Sequence, residues 1–485
     1  MSTMTPPCST LAAELRPTSG CQKDGTLTKN AIVERHEVVR QLLRALRTKR
    51  FLILAGLSGT GKTQIARRLA QSAVGIDRQQ GSGRGLELLE QSLDNAVEGE
   101  GSFLFEPVEG HPEYIRVLDV GTGGKRARAL PLYQKRVGFL PVRPDWTDAK
   151  KVWGYYNPLT GRFYPTDALA VLLNALRDYM ENGDDANNYF LILDEMNLAR
   201  VEYYFSDLLS LMESGCSLDP DTPGRIRMGE MARVHPLDAM LVSTGQRGVH
   251  DQRSEAEAQA SYAHISDSKR VMSAARTGSI EQQVPLRELD DRRFAYEPLV
   301  KGLEFANRPT HELEEVDEKR HALSVLYPIP PRVAYPPNLT IIGTINVDET
   351  THAFAPKVLD RAFVVEFTDV EYGAAFQTHP LYSQLEPFLT GLHGALSPNG
   401  MHFGYRVASE MLSYLEQAGG TFDASTGDFL LLSKVLPKLR GTQHQLGSTL
   451  DRLADFTADG GFTRAAAKIE RMKAQLRATG FASFF

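Results

Sequence analysis

The stretch GLSGTGKT, Gly56 to Thr63, matches G-x-x-x-x-G-K-[ST] at every required position. Glycines at this spacing let successive backbone N–H groups turn inward, so that they cradle phosphate oxygens at a positive helix terminus. Gly56, Ser58, Gly59, Thr60, Gly61, Lys62 and Thr63 are therefore the candidate contacts for a nucleoside triphosphate. Lys62 is the group to reach the β- and γ-phosphates, and the Thr63 hydroxyl the group to ligate Mg²⁺. A Gly-rich turn that happens to carry Lys-Thr is the plainer alternative.

Two more polar points arrive at the ends of apolar runs. YFLILDEMN puts Asp194 and Glu195 after a buried strand. Asp194 fits the second magnesium ligand, and Glu195 fits a base that polarises an attacking water. Asn346 closes LTIIGTIN, positioned to donate to a γ-phosphate or hold that water; an Asx-turn is its other reading. In open α/β sheets ligands bind outside the carboxyl ends of strands, which would gather all three points. Arg361 comes fifteen residues after Asn346, too far along to share that pocket. Its charge suits a neighbouring subunit's nucleotide, as an arginine finger, or a surface pair with Asp360 or Glu366.

These groups need strands and helices to hold them. FLILAG, YFLIL and LTIIGTI read as strands buried on both faces, VGFLPV (137–142) as another central strand, and FVVEF (363–367) as an edge strand. Helical spacing marks residues 30–48 and 168–180, and a long helix whose stripe is Leu198, Val201, Phe205, Leu208 and Met212. Residues 77–136 read as Gly-rich turns with strands such as YIRVLDV. After residue 372 the clearest segments are helices, at 384–395, 404–417, 428–440 and 463–479. The expected fold is an α/β parallel sheet flanked by helices, with an all-α lid. Its parts are a flexible tail at 1–29, a nucleotide-binding domain at 30–372 and a lid at 373–485. Residues 219–331, charged and without a period, read as a long insertion.

Composition narrows the setting. A net charge of −6 argues against a polycation coating nucleic acid. No apolar run approaches the ~20 residues of a membrane helix, and the first 28 residues carry no signal-peptide core, so a cytoplasmic location is expected. Cys8, Cys21 and Cys216 show no metal-ligand spacing and fit a reducing compartment.

The P-loop, the Asp-Glu pair at a strand end, Asn346, Arg361 and the helical C-terminus together resemble the AAA+ ATPases. LDEMNLARVEYYFSDLLSLME and IIGTINVDETTHAFAPKVLDRAF resemble the McrB-type branch, the NTPase subunits of modification-dependent restriction systems. The resemblance covers roughly residues 30–215 and 335–485 and implies a ring, usually a hexamer, that hydrolyses nucleotide between subunits. It assigns Asn346 to the sensor-1 place, Arg361 to the arginine finger and Arg406, in FGYRVASEML, to sensor 2; an exposed helix arginine is the other reading of Arg406. It also implies a McrC-like nuclease partner, through which DNA is reached. The McrB sensor segment reads Met-Asn-Thr-Ala-Asp-Arg where this chain has INVDET, so ATP is favoured and GTP is the alternative. With the core beginning near residue 30, a DNA-reading domain is expected in the insertion or in the partner.

The remaining signals are weaker. Trp153, Tyr155 and Tyr156 sit in an aromatic stretch (142–165) that either touches a threaded segment or packs a loop onto the core. Basic residues gather at Lys125, Arg126, Arg128, Lys135 and Arg136, and along the last helix at Arg464, Lys468, Arg471, Lys473 and Arg477; solvated faces are the default reading. HELEEVDEKRH (311–321) reads as an exposed charge run, and no nuclease signature follows a strand. A MoxR-like chaperone and a nucleotide-gated scaffold are the competing functions.

Overall fold

FLILAG, YFLILD and LTIIGTIN have few polar side chains on either face, so each strand needs cover above and below. The computed structural model gives them that cover; it describes residues 32–81, 83–98, 105–117, 135–157, 162–218, 226–227, 232–233, 332–347 and 352–485. Five parallel strands form one sheet: β1 (Phe51–Gly56), β2 (Val137–Pro141), β3 (Tyr189–Asp194), β4 (Leu339–Asn346) and β5 (Phe363–Phe367). Their order is β5-β1-β4-β3-β2. VGFLPV is thus an edge strand rather than a central one, while FVVEF holds the other edge as expected.

Strand alternation sorts the core into two layers. Phe51, Ile53, Leu191, Leu193 and Ile341 face the layer of helix Asp167–Asn182 and segment Val201–Glu213. Leu52, Leu54, Phe190, Ile192 and Ile342 face helices His36–Thr48, Lys62–Gln80 and Gly85–Glu98. An α/β sheet with helices on both faces is therefore present, with a helical region C-terminal to it.

Several expected boundaries move. The segment 30–48 begins as a strand, Ile32–Arg35, which pairs antiparallel with His111–Val117 before the helix starts at His36. Residues 85–98, read as part of a turn-rich region, are a helix whose Leu86, Leu89, Leu93 and Ala96 are buried at 3-4-3 spacing. The stripe from Leu198 to Met212 is not one helix. It breaks into Met196–Leu198, Val201–Tyr204 and Ser206–Glu213, because Tyr204 turns inward and donates its hydroxyl to the Met196 carbonyl at 2.8 Å.

Of the expected insertion, residues 219–225, 228–231 and 234–331 lie outside the described residues. Its described parts pair with the residues that flank it: Ala232–Arg233 antiparallel with Arg332–Val333, and Ile226–Arg227 with Ser217–Leu218. The expected tail, Cys8, Cys21, the charge run at 311–321 and Lys125, Arg126 and Arg128 are also outside. Of the basic string's last two residues, Lys135 pairs with Asp167 at 2.5 Å and Arg136 lies over the Tyr189 ring. Trp153 is buried, its indole N–H donating to Asp207 Oδ2 at 3.3 Å, which is the packing reading of the aromatic stretch.

The C-terminal helices Tyr382–Leu396, Tyr405–Gln417, Gln443–Asp459 and Thr463–Thr479 share one apolar core around Leu389, Met411, Leu450 and Ile469. The helix expected at 428–440 is shorter and irregular, Ala424–Leu430 followed by a wider turn at Leu431–Val435. Helix Gln443–Asp459 was not anticipated, although its capping box, Thr442 with Gln445, is visible in sequence. Two short strands, Arg440–Thr442 and Phe481–Ser483, pair and tie down the end of the chain. On the last helix Lys473 pairs with Asp451 at 2.8 Å and Lys468 reaches the Phe484 carbonyl, while Arg464, Arg471 and Arg477 are exposed. Among the described residues no helix is long and apolar enough to cross a membrane.

Candidate active site

The turn between β1 and helix Lys62–Gln80 is shaped by two left-handed glycines, Gly59 at φ +83° and Gly61 at φ +97°. Other residues enter that region only with strain. Gly61 caps the helix without a side-chain oxygen, and the first-turn N–H groups of a helix are where an anion is best received. Lys62 is 5% exposed, and its ammonium is held by the carbonyls of Gly56 (2.9 Å) and Leu57 (2.5 Å), within the loop it is expected to serve. Thr60 donates its hydroxyl to the Leu57 carbonyl at 3.0 Å and so braces the turn from inside.

Strand register brings the other groups alongside. Asn346 lies opposite Gly56 across the β4–β1 pair, and Gly343 lies opposite Leu193 across the β4–β3 pair. Asp194 therefore ends β3 level with Thr344. The Thr63 hydroxyl donates to Asp194 Oδ1 at 2.6 Å, and the Thr344 hydroxyl donates to the same oxygen at 2.8 Å. Thr344 also accepts the Glu195 N–H at 3.0 Å. Asn346 Nδ2 then donates to Glu195 Oε1 at 3.3 Å, and Asn197 Nδ2 donates to the Asn346 carbonyl at 3.2 Å. One connected network thus runs from the loop through the acid pair to Asn346.

Glu195 is the only non-glycine residue with positive φ among the described residues, at φ 53° and ψ 50°. A left-handed conformation at a side chain of this size costs on the order of 1–2 kcal/mol and persists only where the surroundings hold it. Here Thr344 and Asn346 fix it from either side, with the carboxylate directed to the Asn346 side of the loop.

The donor set suits magnesium rather than a fully protein-bound metal. Among the described residues no group of three or more His, Cys, Asp or Glu could hold an ion. One hydroxyl and one carboxylate, Thr63 and Asp194, sit together beside the loop, a pair of the kind Mg²⁺ takes when phosphate oxygens complete its shell.

The helical region closes over the same loop. The Arg406 backbone N–H donates to the Gly59 carbonyl at 3.2 Å, and a Cβ on Gly59 would stand 2.8 Å from that of Arg406. A Cβ on Gly404 would meet the Gly59 carbonyl carbon at 2.5 Å. Helix Tyr405–Gln417 thus begins in backbone contact with the P-loop, and Arg406 is exposed at that junction.

Arg361 is elsewhere. It ends helix Pro356–Arg361, two residues before Phe363, which pairs with Leu52 near the amino end of β1. Gly56 lies four residues further along β1, roughly 13 Å at ~3.3 Å per residue. The Arg361 guanidinium donates to the carbonyls of Leu209 (3.1 Å) and Lys357 (2.8 Å) and pairs with Glu213. Asp360 and Glu366 are not its partners. Close to it in the chain, Leu359, Phe363 and Val364 are exposed apolar side chains.

Sequence reasoning missed Thr344, Asn197 and Glu34. Thr344 had a signal, since a strand's alternation places residues 344 and 346 on one side. Glu34 lay in a stretch read as helix.

A family model described as "Domain of unknown function (DUF8727)" matches residues 364–481, which span all of β5 but its first residue and most of the helical region, including Arg406. No curated protein matches the chain.

Proposed function

We propose that this chain is a Mg²⁺-dependent nucleoside triphosphatase of the AAA+ type, with ATP favoured over GTP. The observation that carries the reading is the network Thr63–Asp194–Thr344–Glu195–Asn346 at the carboxyl ends of three adjacent strands, beside the P-loop. The strand order β5-β1-β4-β3-β2 and the helical region seated on Gly59 support the AAA+ assignment.

In this reading the backbone amides from Gly59 to Thr63 bind the phosphates, and Lys62 exchanges its loop carbonyls for the β- and γ-phosphates. Thr63 and Asp194 hold Mg²⁺, which supplies charge neutralisation at the phosphates. Glu195 accepts a proton from the attacking water, and Asn346 orients the Glu195 carboxylate. Arg406 reaches the nucleotide from the lid. The strand register separates Arg361 from its own loop, so it serves as the finger for a second copy in a ring, probed by mixing subunits below. The strings LDEMNLARVEYYF and INVDETTH support a role as motor of a McrBC-like antiviral restriction complex, with cutting of DNA left to a McrC-like partner.

The test is steady-state hydrolysis of ATP and GTP side by side with Mg²⁺, using Lys62→Ala as the blank. Turnover above the blank, dependent on Mg²⁺, is the expected result. Undiminished nucleotide affinity in Lys62→Ala overturns the P-loop assignment.

A further inference from the structure

The segment that follows Glu195 and the segment that begins at Asn346 are tied together at successive points, in matching order. Asn197 donates its side-chain amide to the Asn346 carbonyl at 3.2 Å, and its own carbonyl accepts the His352 N–H at 3.0 Å. Further along, Glu202 Oε1 accepts the Ala355 N–H at 2.7 Å. Last, Leu209 and Glu213 hold the Arg361 guanidinium. The ties therefore lead from the acid pair to the helix that carries Arg361, and Glu202 makes the one at the start of that helix.

Helix Pro356–Arg361 needs such a hold, because little in its own sequence fixes it. Six residues are too few for a helix to persist unaided. Val358 is its buried residue, Pro356 at the first position brings no N–H, and Ala355 has no side-chain oxygen to cap the first turn. Near the other end Lys49 donates to the Asp360 carbonyl at 2.5 Å, but that bond is exposed. The Glu202 bond is partly buried. Each of the two includes one charged group, and burial makes the Glu202 bond the stronger. The bonds of Arg361 itself cannot serve, since a guanidinium that reaches a neighbour's nucleotide has left Leu209 and Glu213.

We propose that Glu202 is a positioning residue for Arg361. It fixes the start of the finger's helix against the segment that leaves Glu195, so that the guanidinium comes within reach of a neighbouring subunit's γ-phosphate. The inference rests on the reading of Arg361 as a finger acting between subunits. Glu202 sits on helix Val201–Tyr204, and its hydrogen bond goes to the finger's helix, not to the groups assigned to phosphate, magnesium or water. Its loss should therefore impair what a subunit gives its neighbour and spare what it does with its own nucleotide.

The experiment is ATP hydrolysis by full chains mixed in pairs, with differently tagged subunits co-purified to establish that mixed assemblies form. Alone, Glu202→Ala should lose about 10- to 10²-fold in hydrolysis, the cost of a misplaced group, with ATP affinity within about twofold of wild type. Glu202→Gln keeps an acceptor oxygen and should stay within about threefold. Mixed with Glu195→Gln subunits, whose finger is intact, Glu202→Ala should regain hydrolysis as Arg361→Ala does. Mixed with Arg361→Ala subunits it should regain none, because neither supplies a placed finger. Ala355→Pro removes the same bond from the other side, at a φ of −66° that proline accepts, and should repeat both results. Hydrolysis regained in the mixture of Glu202→Ala with Arg361→Ala overturns the proposal, since Glu202→Ala would then still donate its finger. So does failure of Glu202→Ala to recover with Glu195→Gln while Arg361→Ala does, which would put the defect in its own site. Wild-type turnover by Glu202→Ala alone likewise overturns it. If Arg361→Ala and Glu195→Gln fail to recover in confirmed mixed assemblies, the finger reading itself falls, a different failure.

Discussion

Thr344→Val separates the geometry of the acid pair from its chemistry. Thr344 is 2% exposed; its hydroxyl donates to Asp194 at 2.8 Å and accepts the Glu195 N–H at 3.0 Å. Valine keeps the shape and the strand propensity and removes both bonds. The bond to Asp194 is charge-assisted, worth ~1.5–3 kcal/mol, and the stranded Glu195 N–H costs ~1–3 kcal/mol. The added methyl, buried in the sheet, returns ~0.8 kcal/mol. Stability should therefore fall by about 2–5 kcal/mol, a drop in Tm of roughly 4–20 °C for a domain of this size. Losing the Thr344 bond also frees Glu195 to relax from φ 53° towards an ordinary conformation, which carries its carboxylate away from Asn346. Displacing a general base of this kind costs about 10²-fold in kcat. Nucleotide affinity should change by less than about threefold, because the loop amides and Lys62 are untouched. The assay is single-turnover hydrolysis paired with equilibrium binding, with Thr344→Ser as the control that keeps the hydroxyl. Wild-type kcat in Thr344→Val, with binding intact, would refute the view that this hydroxyl positions Glu195.

The other predictions test the loop, the lid, the ring and the buried acid. Glu195→Gln should bind nucleotide normally and lose about 10²–10⁴-fold in hydrolysis; turnover near wild type removes Glu195 from its role. Gly59→Ala places a methyl 2.8 Å from the Arg406 Cβ at φ +83°, so it should lower Tm by several degrees and weaken nucleotide binding; an unchanged melt would mean the lid does not rest on this glycine. Arg361→Ala and Glu195→Gln subunits, each nearly inactive alone, should regain hydrolysis when mixed, and mixed rings with no recovery count against action between subunits. Glu34, raised above its unfolded value of 4.5, binds protons more tightly folded than unfolded, so its contribution to stability falls as pH rises from about 4.5 towards the folded pKa. Glu34→Gln abolishes that loss and should therefore raise Tm more at pH 8 than at pH 5; equal gains at both would show that the carboxyl titrates normally.

What the sequence revealed, and what it concealed, divides along a physical line. Strands buried on both faces end abruptly where polar chemistry begins, so Gly56, Asp194 and Asn346 could be read as three points on one rim, and the register places Gly56 and Asn346 opposite each other. The helices were legible where their apolar stripe was long. The stripe through Leu198 to Met212 misled because helical spacing survives a break: Tyr204 packs inward through a kink, and the intervals on either side still read 3-4-3-4. Residues 85–98 were passed over because Gly81, Gly83 and Gly85 before them signalled turns, although four apolar residues followed at helical spacing. Glu34 was hidden for a different reason. IVER sits directly before a strongly amphipathic helix, and four residues are too few for alternation to outweigh the helical pattern that follows.

Arg361 shows where local reading must give way to topology. Its number places it near Asn346, yet the two are separated by the full length of a strand, because Asn346 ends β4 and Arg361 precedes β5. Parallel strands force this outcome: each must be entered from the same edge, so a residue just before one strand lies opposite the residue just after another. The guanidinium does not point into solvent. It is held by the Leu209 carbonyl and Glu213, both on helix Ser206–Glu213, which follows Glu195 in the chain. The finger candidate is therefore held by the last of the three short helical segments that follow the general-base candidate in the chain. A pair with one exposed partner, Glu213, is weak enough for a neighbouring subunit's phosphates to compete for the same guanidinium. Glu213→Gln should then leave the fold intact, with Tm within ~4 °C of wild type, since an exposed ion pair contributes at most ~1 kcal/mol. It should also lower the protein concentration at which hydrolysis becomes half-maximal, because Arg361 no longer has to leave Glu213 to serve its neighbour. A concentration dependence identical to wild type would mean that the pair plays no part in assembly.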